Sequence, residues 1–203
     1  PLISNLTGVI GSLTEADLAS NINTYGYYVY HSSYGTTVND KHKNISNRNA
    51  ESRKKAIGLS AGKGNTKDQS KMSAIGEAIE RYCSQYMGYE NDIVASYEEL
   101  GDKAINPSRL FKFSEKQYQE REKWIKQGKY TFVPYRFEPS EKIGWVKVWS
   151  LSDNKALFSP TSYEYYTSKK IPGYKYYPGD SNGVSGGNCL EEAFLQGFYE
   201  LIE

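Results

Sequence analysis

Four glutamates carry the chemistry this sequence can do. Glu77 and Glu80 stand three residues apart, and Glu200 and Glu203 repeat that spacing near the other end of the chain. On a helix, positions three apart share a face. Ser70, Ser73 and Ser84 extend the first stripe, and Glu192 and Gln196 extend the second. Each stripe follows a glycine-rich segment. One is Gly62-Lys63-Gly64, and the other is Ser-Asn-Gly-Val-Ser-Gly-Gly at 181–187. The two regions are related: Gly64–Glu80 and Gly187–Glu203 align without gaps, and Gly, Asn, Glu, Ile and Glu coincide. They read as two equivalent helices related by a pseudo-twofold. One acidic stripe alone reads as a solvated helix face. Two matched stripes that face each other bring four carboxylates together, and like charges that close need protons or cations. Mg2+ prefers carboxylate oxygens and bridges to substrate phosphates. Backbone N–H groups at a helix N-terminus take anionic oxygens. The pattern therefore predicts a Mg-nucleotide site without a Walker motif. His31 and His42 are too sparse for a transition-metal site. Cys83, expected toward the core side of its helix, and Cys189 lack a nearby His signal and read as structural.

These residues need elements to position them. A helix from Lys67 to Met87, with Thr66 as N-cap and Gln69 three residues on, holds the first stripe. Its opposite side, Met72, Ile75, Ile79, Tyr82 and Tyr86, reads as a core face. A last helix starts after Asn188, with Asn188 and Glu191 as a capping box. It carries Leu190, Phe194, Phe198 and Leu201 at helical spacing. It has no Gly, Asn or Pro stop, and it ends on acids at the negative pole of its dipole. The chain is thus expected to be a piece of a longer protein. Upstream, Ser12–Ile22 reads as a helix opened by a Ser12/Glu15 capping box, and Tyr25–Tyr34 as a strand. Val38–Ser52 reads as a loop, and Ala56–Ser60 as a strand running into Gly62. Between the stripes, Ser96–Leu100 and Ser114–Gln127 read as helices, the second stopped by Gly128, with a turn at Asn106-Pro107. Thr131–Phe137, Gly144–Leu151 and Lys155–Phe158 read as strands, the last two joined at Asp153-Asn154. Tyr163–Tyr177 is rich in Tyr and Lys and broken at Pro172-Gly173. The mixture predicts an α+β fold of helices and largely antiparallel sheets.

At 203 residues the chain is long enough for one domain with a subdomain. Its 25 basic and 24 acidic residues leave a net charge of +1, which excludes a dominant footprint for duplex nucleic acid. No apolar run approaches the ~18–20 residues of a membrane span. Two cysteines outside any C-x-x-C rule out a disulfide framework. Pro1–Ser12 lacks a basic signal-peptide start, so a cytoplasmic setting is expected. Nineteen tyrosines fit half-buried strand faces, the alternative being an aromatic sugar- or peptide-binding surface.

With these residues in view, the sequence resembles the YcaO family. Gly62-Lys63-Gly64, then Ser73-Ala-Ile-Gly-Glu77-Ala-Ile-Glu80-Arg81, looks like that family's first half-site. Ser181-Asn182-Gly183, Ser185, Gly187-Asn188 and then Glu192-x-x-x-Gln196-x-x-x-Glu200-x-x-Glu203 look like its second. The resemblance runs from Ala56 to the C-terminus, and the first ~50 residues match loosely. It implies a YcaO-like fold, of which residues 1–203 are the N-terminal part, and an ATP-dependent enzyme acting on backbone amides of a ribosomally made peptide. In the cyclodehydratase branch a Cys, Ser or Thr side chain attacks the preceding carbonyl, and the amide oxygen is phosphorylated and leaves as phosphate. Thiazolines or oxazolines result, as in bacteriocin biosynthesis; other branches make thioamides or macroamidines. The resemblance makes Glu77, Glu80, Glu200 and Glu203 the Mg2+ ligands and places Glu192 in the nucleotide and metal network. Ser73, Arg81, Ser185, Asn188 and Gln196 become ATP contacts, with Lys63 toward phosphate. It also implies a precursor-peptide substrate and an E1-like or leader-binding partner protein, and it leaves a homodimer open. Family members continue for a second half of similar length, so this chain by itself is expected to bind ATP poorly and turn over little. The competing readings are a non-catalytic peptide-binding module built on Tyr-rich surfaces, a thioamide-forming enzyme, and, against its near-neutral charge, a single-strand nucleic-acid binder.

Overall fold

Three short runs of small, β-branched and aromatic residues pair into an antiparallel sheet among the described residues. In the computed structural model, which describes residues 2–3, 8–16, 26–34, 58–90, 92–110, 112–127, 133–165, 170–177 and 179–203, the chain divides into two units. One comprises residues 1–83 and 182–203, and the other residues 84–181.

In the first unit, β1 (Ile10–Glu15), β2 (Tyr28–Tyr34) and β3 (Gly58–Gly64) pair in that order. Helix α1 (Lys67–Cys83) packs on the sheet. The contact is made by small residues. Ser70, Ala74 and Ala78 are the buried positions of α1. Ser32 and Ser60 hydroxyls both donate to the Ala74 carbonyl at 3.1 Å, and the Ser70 hydroxyl donates to the Gly62 carbonyl at 2.8 Å. The expected core face is corrected accordingly. Ile75, Ile79 and Tyr82 are only partly buried against Ile10, Tyr34 and Ala78, and Met72 is exposed. Glycine-bearing β3 lies so close that it admits only small side chains, so Ser70 belongs to this interface rather than to the acidic stripe. Cys83 is exposed, not turned to the core.

Residues 12–15 correct a second expectation. They form a strand, pairing Ser12 with Ser33 through Glu15 with Tyr30. The short-range capping signal is overridden by cross-strand pairing. Glu15 instead accepts from the Tyr30 hydroxyl and the Lys67 ammonium, each at 3.0 Å. The expected continuation to Ile22, the 38–52 loop and His42 lie outside the described residues.

The second unit is built on another antiparallel sheet, β4 (Ile93–Ala95), β5 (Ile143–Ser150) and β6 (Lys155–Pro160). Its core joins Ala104, Phe137, Ile143, Trp145 and Tyr176. The Trp145 indole N–H is satisfied by the Ala95 carbonyl at 2.8 Å. The β5–β6 turn falls at residues 151–154, with Asn154 at φ +48°, the left-handed region Asn tolerates. Short helices α2 (Tyr97–Leu100) and α3 (Pro107–Leu110) lie between β4 and β5, the first opened by a Ser96/Glu99 capping box. Asn106-Pro107 begins a helix rather than a plain turn: Asn106 Oδ1 accepts from the Ser108 N–H at 2.9 Å, and Pro107 takes the first helical position. The predicted Ser114–Gln127 helix is two, α4 (Glu115–Gln119) and α5 (Arg121–Lys126), divided at Glu120. Its Gly128 stop lies outside the described residues. Residues 133–137 form no strand. Pro134 interrupts any ladder there, and the Val133 carbonyl is taken by the Arg121 side chain at 2.8 Å. Residues 131–132 lie outside the described set. A last short helix, α6 (Thr161–Glu164), follows β6. No helix among the described residues is long and apolar enough to cross a membrane.

Candidate active site

The two glycine-led helices start in the same way. Before α1, the Asn65 N–H donates to Gln69 Oε1 at 2.8 Å. Before α7 (Leu190–Ile202), the Asn188 N–H donates to Glu192 Oε2 at 2.9 Å. These residues coincide in the sequence repeat. So do the first backbone bonds, Ser70 N–H to Thr66 carbonyl at 3.0 Å and Ala193 N–H to Cys189 carbonyl at 3.1 Å. The glycines coincide as well. A methyl group on Gly64 would meet the Ser70 nitrogen at 2.7 Å, and one on Gly187 would meet the Ala193 nitrogen at 2.5 Å. Glycine thus lets each loop lie directly on the first turn of its helix. The expected Asn188/Glu191 capping box is corrected in detail: Cys189, exposed, is the N-cap without a side-chain bond, and Glu192 is the side chain that reaches back.

Past these starts the helices present their carboxylates. Both carboxylate oxygens of Glu77 accept a hydrogen bond. Its Oε1 accepts from Arg81 Nε at 2.8 Å and its Oε2 from the Ala61 backbone N–H at 3.0 Å. Since β3 is an edge strand among the described residues, Ala61 turns this N–H to the helix instead of to a strand partner. Glu80 is half-buried and accepts from the Gly186 N–H of the second loop at 3.3 Å. Burial raises its carboxyl above the usual range; the Gly186 bond and Arg81 oppose this, and the negative charges of Glu77 and Glu200 add to it. Carboxylates from both helices are therefore felt at one point. Glu200 and Glu203 are exposed on α7, Glu203 just past its last turn.

The remaining predicted residues divide. Ser185 lies on the loop and donates to the Ala193 carbonyl, bracing α7. Asn188 and Glu192 bind each other, the side-chain amide adding a 3.0 Å bond. Ser73, Lys63 and Gln196 are exposed. Sequence reasoning missed Ala61 and Gly186, because a backbone donor has no side-chain signature. The glycine content of the second loop was the available signal.

A divalent cation can be tested against these donors. Carboxylate oxygens suit Mg2+. Glu80 carries the penalty of burial and of two like charges, which a cation relieves. Among the described residues no group of three or more His, Cys, Asp or Glu side chains is arranged to hold a metal ion. Mg2+ commonly uses one or two carboxylates plus substrate phosphates instead of an all-protein cage, so the donor set fits a shared metal–phosphate site.

Comparison with known proteins follows the same lines. A family model described as YcaO cyclodehydratase, ATP- and Mg2+-binding, matches residues 61–203. An uncharacterized protein of Methanothermobacter thermautotrophicus is 23% identical over 149 residues, covering 73% of this chain and 33% of that one. Among solved structures, a heterocyclase in complex with substrate and cofactor is 36% identical with a TM-score of 0.80, covering 100% of this chain and 26% of that one. The heterocyclase TruD is 41% identical with a TM-score of 0.61, covering 66% of this chain and 20% of that one. YcaO from Methanopyrus kandleri, bound with AMPPCP and Mg2+, is 18% identical with a TM-score of 0.51; it covers 96% of this chain and 37% of that one. The last likeness is one of fold. The chain spans a third of the length of the curated relative it matches.

Proposed function

The chain belongs to the YcaO family, and from that premise we propose that it carries the N-terminal part of a catalytic domain for ATP- and Mg2+-dependent activation of a peptide backbone amide. The reaction is cyclodehydration. A substrate Cys, Ser or Thr side chain gives up its proton and adds to the preceding carbonyl, closing the ring, and the former amide oxygen accepts the γ-phosphoryl group of ATP, releasing ADP. That oxygen then leaves as phosphate while the amide nitrogen loses its proton, forming the C=N bond of a thiazoline or oxazoline. Phosphorylation is needed because an amide oxygen is otherwise a poor leaving group. The observation that carries the reading is Glu80. It is half-buried, bonded to the second loop, and charged against Glu77 of its own helix and Glu200 of the other.

In this reading Glu77, Glu80, Glu200 and Glu203 would hold Mg2+, which when bound would supply charge neutralisation for phosphoryl transfer. Arg81 sets the Glu77 carboxylate against the β3 edge. Ser185, Asn188 and Glu192 fix the loop and the start of α7, so that Gly186 meets Glu80. Ser73, Lys63 and Gln196 are exposed and available to nucleotide. The substrate is a ribosomally made precursor peptide, such as a bacteriocin precursor, delivered in the cytoplasm with an E1-like or leader-binding partner. A heterocyclase bound to substrate and cofactor among the similar structures supports the peptide assignment.

Calorimetry with AMPPCP and Mg2+ tests this. Weak, saturable binding that requires Mg2+ and is lost in Glu80→Gln is expected. No binding by the wild-type chain, or binding indifferent to Glu80, would overturn the assignment.

A further inference from the structure

Gly76 stands in the middle of α1, where glycine weakens a helix relative to alanine. A glycine in such a place is ordinarily retained because a side chain would collide. Its neighbours in this unit behave that way. A methyl group would press on Ala74 at Gly62, on Ser70 at Gly64, on Ala193 at Gly187, and on the Gly183 carbonyl and Ser185 hydroxyl at Gly197. Gly76 differs: among the described residues, and leaving aside the backbone of its own helix and its chain neighbours, a methyl group there would meet no heavy atom within 4 Å. Packing among the described residues therefore does not require it.

The open space has a definite location. Gly76 lies one turn before Glu80 and three residues after Ser73, beside Glu77, on the carboxylate face of the helix. The second loop borders it: a methyl group on Gly186 would stand 3.3 Å from the Gly76 carbonyl oxygen and 3.7 Å from the Glu80 Cβ. The gap thus sits among the exposed Ser73, the engaged Glu77, the half-buried Glu80 and the backbone of the second loop.

We propose that Gly76 is where the bound nucleotide lies directly on the backbone of α1, the missing side chain making room for it. This rests on the nucleotide reading of the site and deepens it. Gly76 is a specificity-determining position whose helix-weakening is compensated only when the ligand is present.

The test separates stability from binding. Gly76→Ala and Gly76→Leu replace glycine with strong helix formers. In the free chain Gly76→Ala is expected to raise the thermal midpoint by about 2–4 °C. Its affinity for AMPPCP with Mg2+ is expected to fall about tenfold, which is about 1.4 kcal/mol, and that of Gly76→Leu further. Binding of Mn2+ alone, read from the free-ion resonance signal, stays as in wild type because the carboxylates are untouched. Wild-type AMPPCP affinity in Gly76→Ala would overturn the inference and leave the proposed function standing. A lowered midpoint would also overturn it, by showing a packing role. Failure of the wild-type chain to bind AMPPCP with Mg2+ would remove the nucleotide reading, and this inference with it.

Discussion

Gly62→Ala should be among the most damaging single-methyl additions in this chain. Gly62 faces α1 from β3, opposite Tyr30 in the sheet register. A methyl group there would fall well inside contact with the Ala74 nitrogen and the Ser70 carbonyl oxygen, and 2.8 Å from the Ala74 Cα. All three are backbone atoms in the body of a helix, so no side-chain rotation relieves the clash. The helix must lift from the strand by about 1 Å, a distance that packed interiors do not absorb freely. Lifting stretches three hydrogen bonds: Ser70 hydroxyl to Gly62 carbonyl at 2.8 Å, and Ser32 and Ser60 hydroxyls to Ala74 carbonyl at 3.1 Å. Each contributes about 1 kcal/mol, and overpacking costs about 1–3 kcal/mol more. The expected loss is therefore about 4–6 kcal/mol if all three bonds are lost, a large share of the ~5–15 kcal/mol that holds a domain together. Urea unfolding followed by circular dichroism gives the number, and amide exchange in α1 locates it. A variant within about 1 kcal/mol of wild type would refute the close backbone contact between β3 and α1, and with it the account of why the glycine stands there.

Other expectations follow from single contacts. Gln69→Ala and Glu192→Ala remove the acceptors of the Asn65 and Asn188 N–H groups; each should cost about 1 kcal/mol in urea unfolding, alike because the two helix starts are alike. Ser96→Ala removes the hydroxyl that accepts from the Glu99 N–H at 3.2 Å, while the Ser96 backbone N–H keeps its 2.7 Å bond to the Glu99 carboxylate; it should also cost about 1 kcal/mol. Glu164 has its carboxyl raised above the usual range by burial. The folded state then keeps a proton that the unfolded chain has lost, so this group's contribution to stability improves as pH falls from above the raised value toward the ordinary carboxyl value of 4.5. Glu164→Gln should stabilise at neutral pH, with the advantage shrinking on acidification; a pH-independent difference in melting temperature would refute the assignment of that carboxyl.

Much of this site was legible because its logic is written in side chains and spacing. The repeat of Gly-Asn and Glu-x-x-Glu announced two equivalent helices, and the structure gives them matching starts. The strand feeding Gly62, the helix after Thr66 and the β5–β6 hairpin also followed from local pattern. The failures are those where a partner distant in sequence decides. Ser12 and Glu15 spell a helix cap, yet four cross-strand pairs with β2 hold residues 12–15 extended. Met72 looked like core and is exposed, while Ser70 looked like surface and is buried. The helix is rotated by its contact with a glycine-bearing strand, which rewards small residues over large ones. Ala61 and Gly186 act through their main chain and carried no signal of their own.

The likeness of the two helix starts makes the difference between their carboxylates informative. Glu77 has a guanidinium and a strand-edge N–H, whereas its counterpart in the repeat, Glu200, is exposed on a helix that carries no basic residue in its last turn. Arg81 lowers the Glu80 carboxyl, while the negative charges of Glu77 and Glu200 add to its rise. On α7, Glu192 and Glu200 lie on the side away from the exposed apolar residues Phe194 and Phe198, with Gly197 pressed to the loop. The helix is anchored through its smallest residue while Glu200 and Glu203 stand exposed. Carboxylates beside backbone donors are what the proposed metal-bound phosphate chain would use: the cation would supply positive charge, and the loop N–H groups would meet the anionic oxygens.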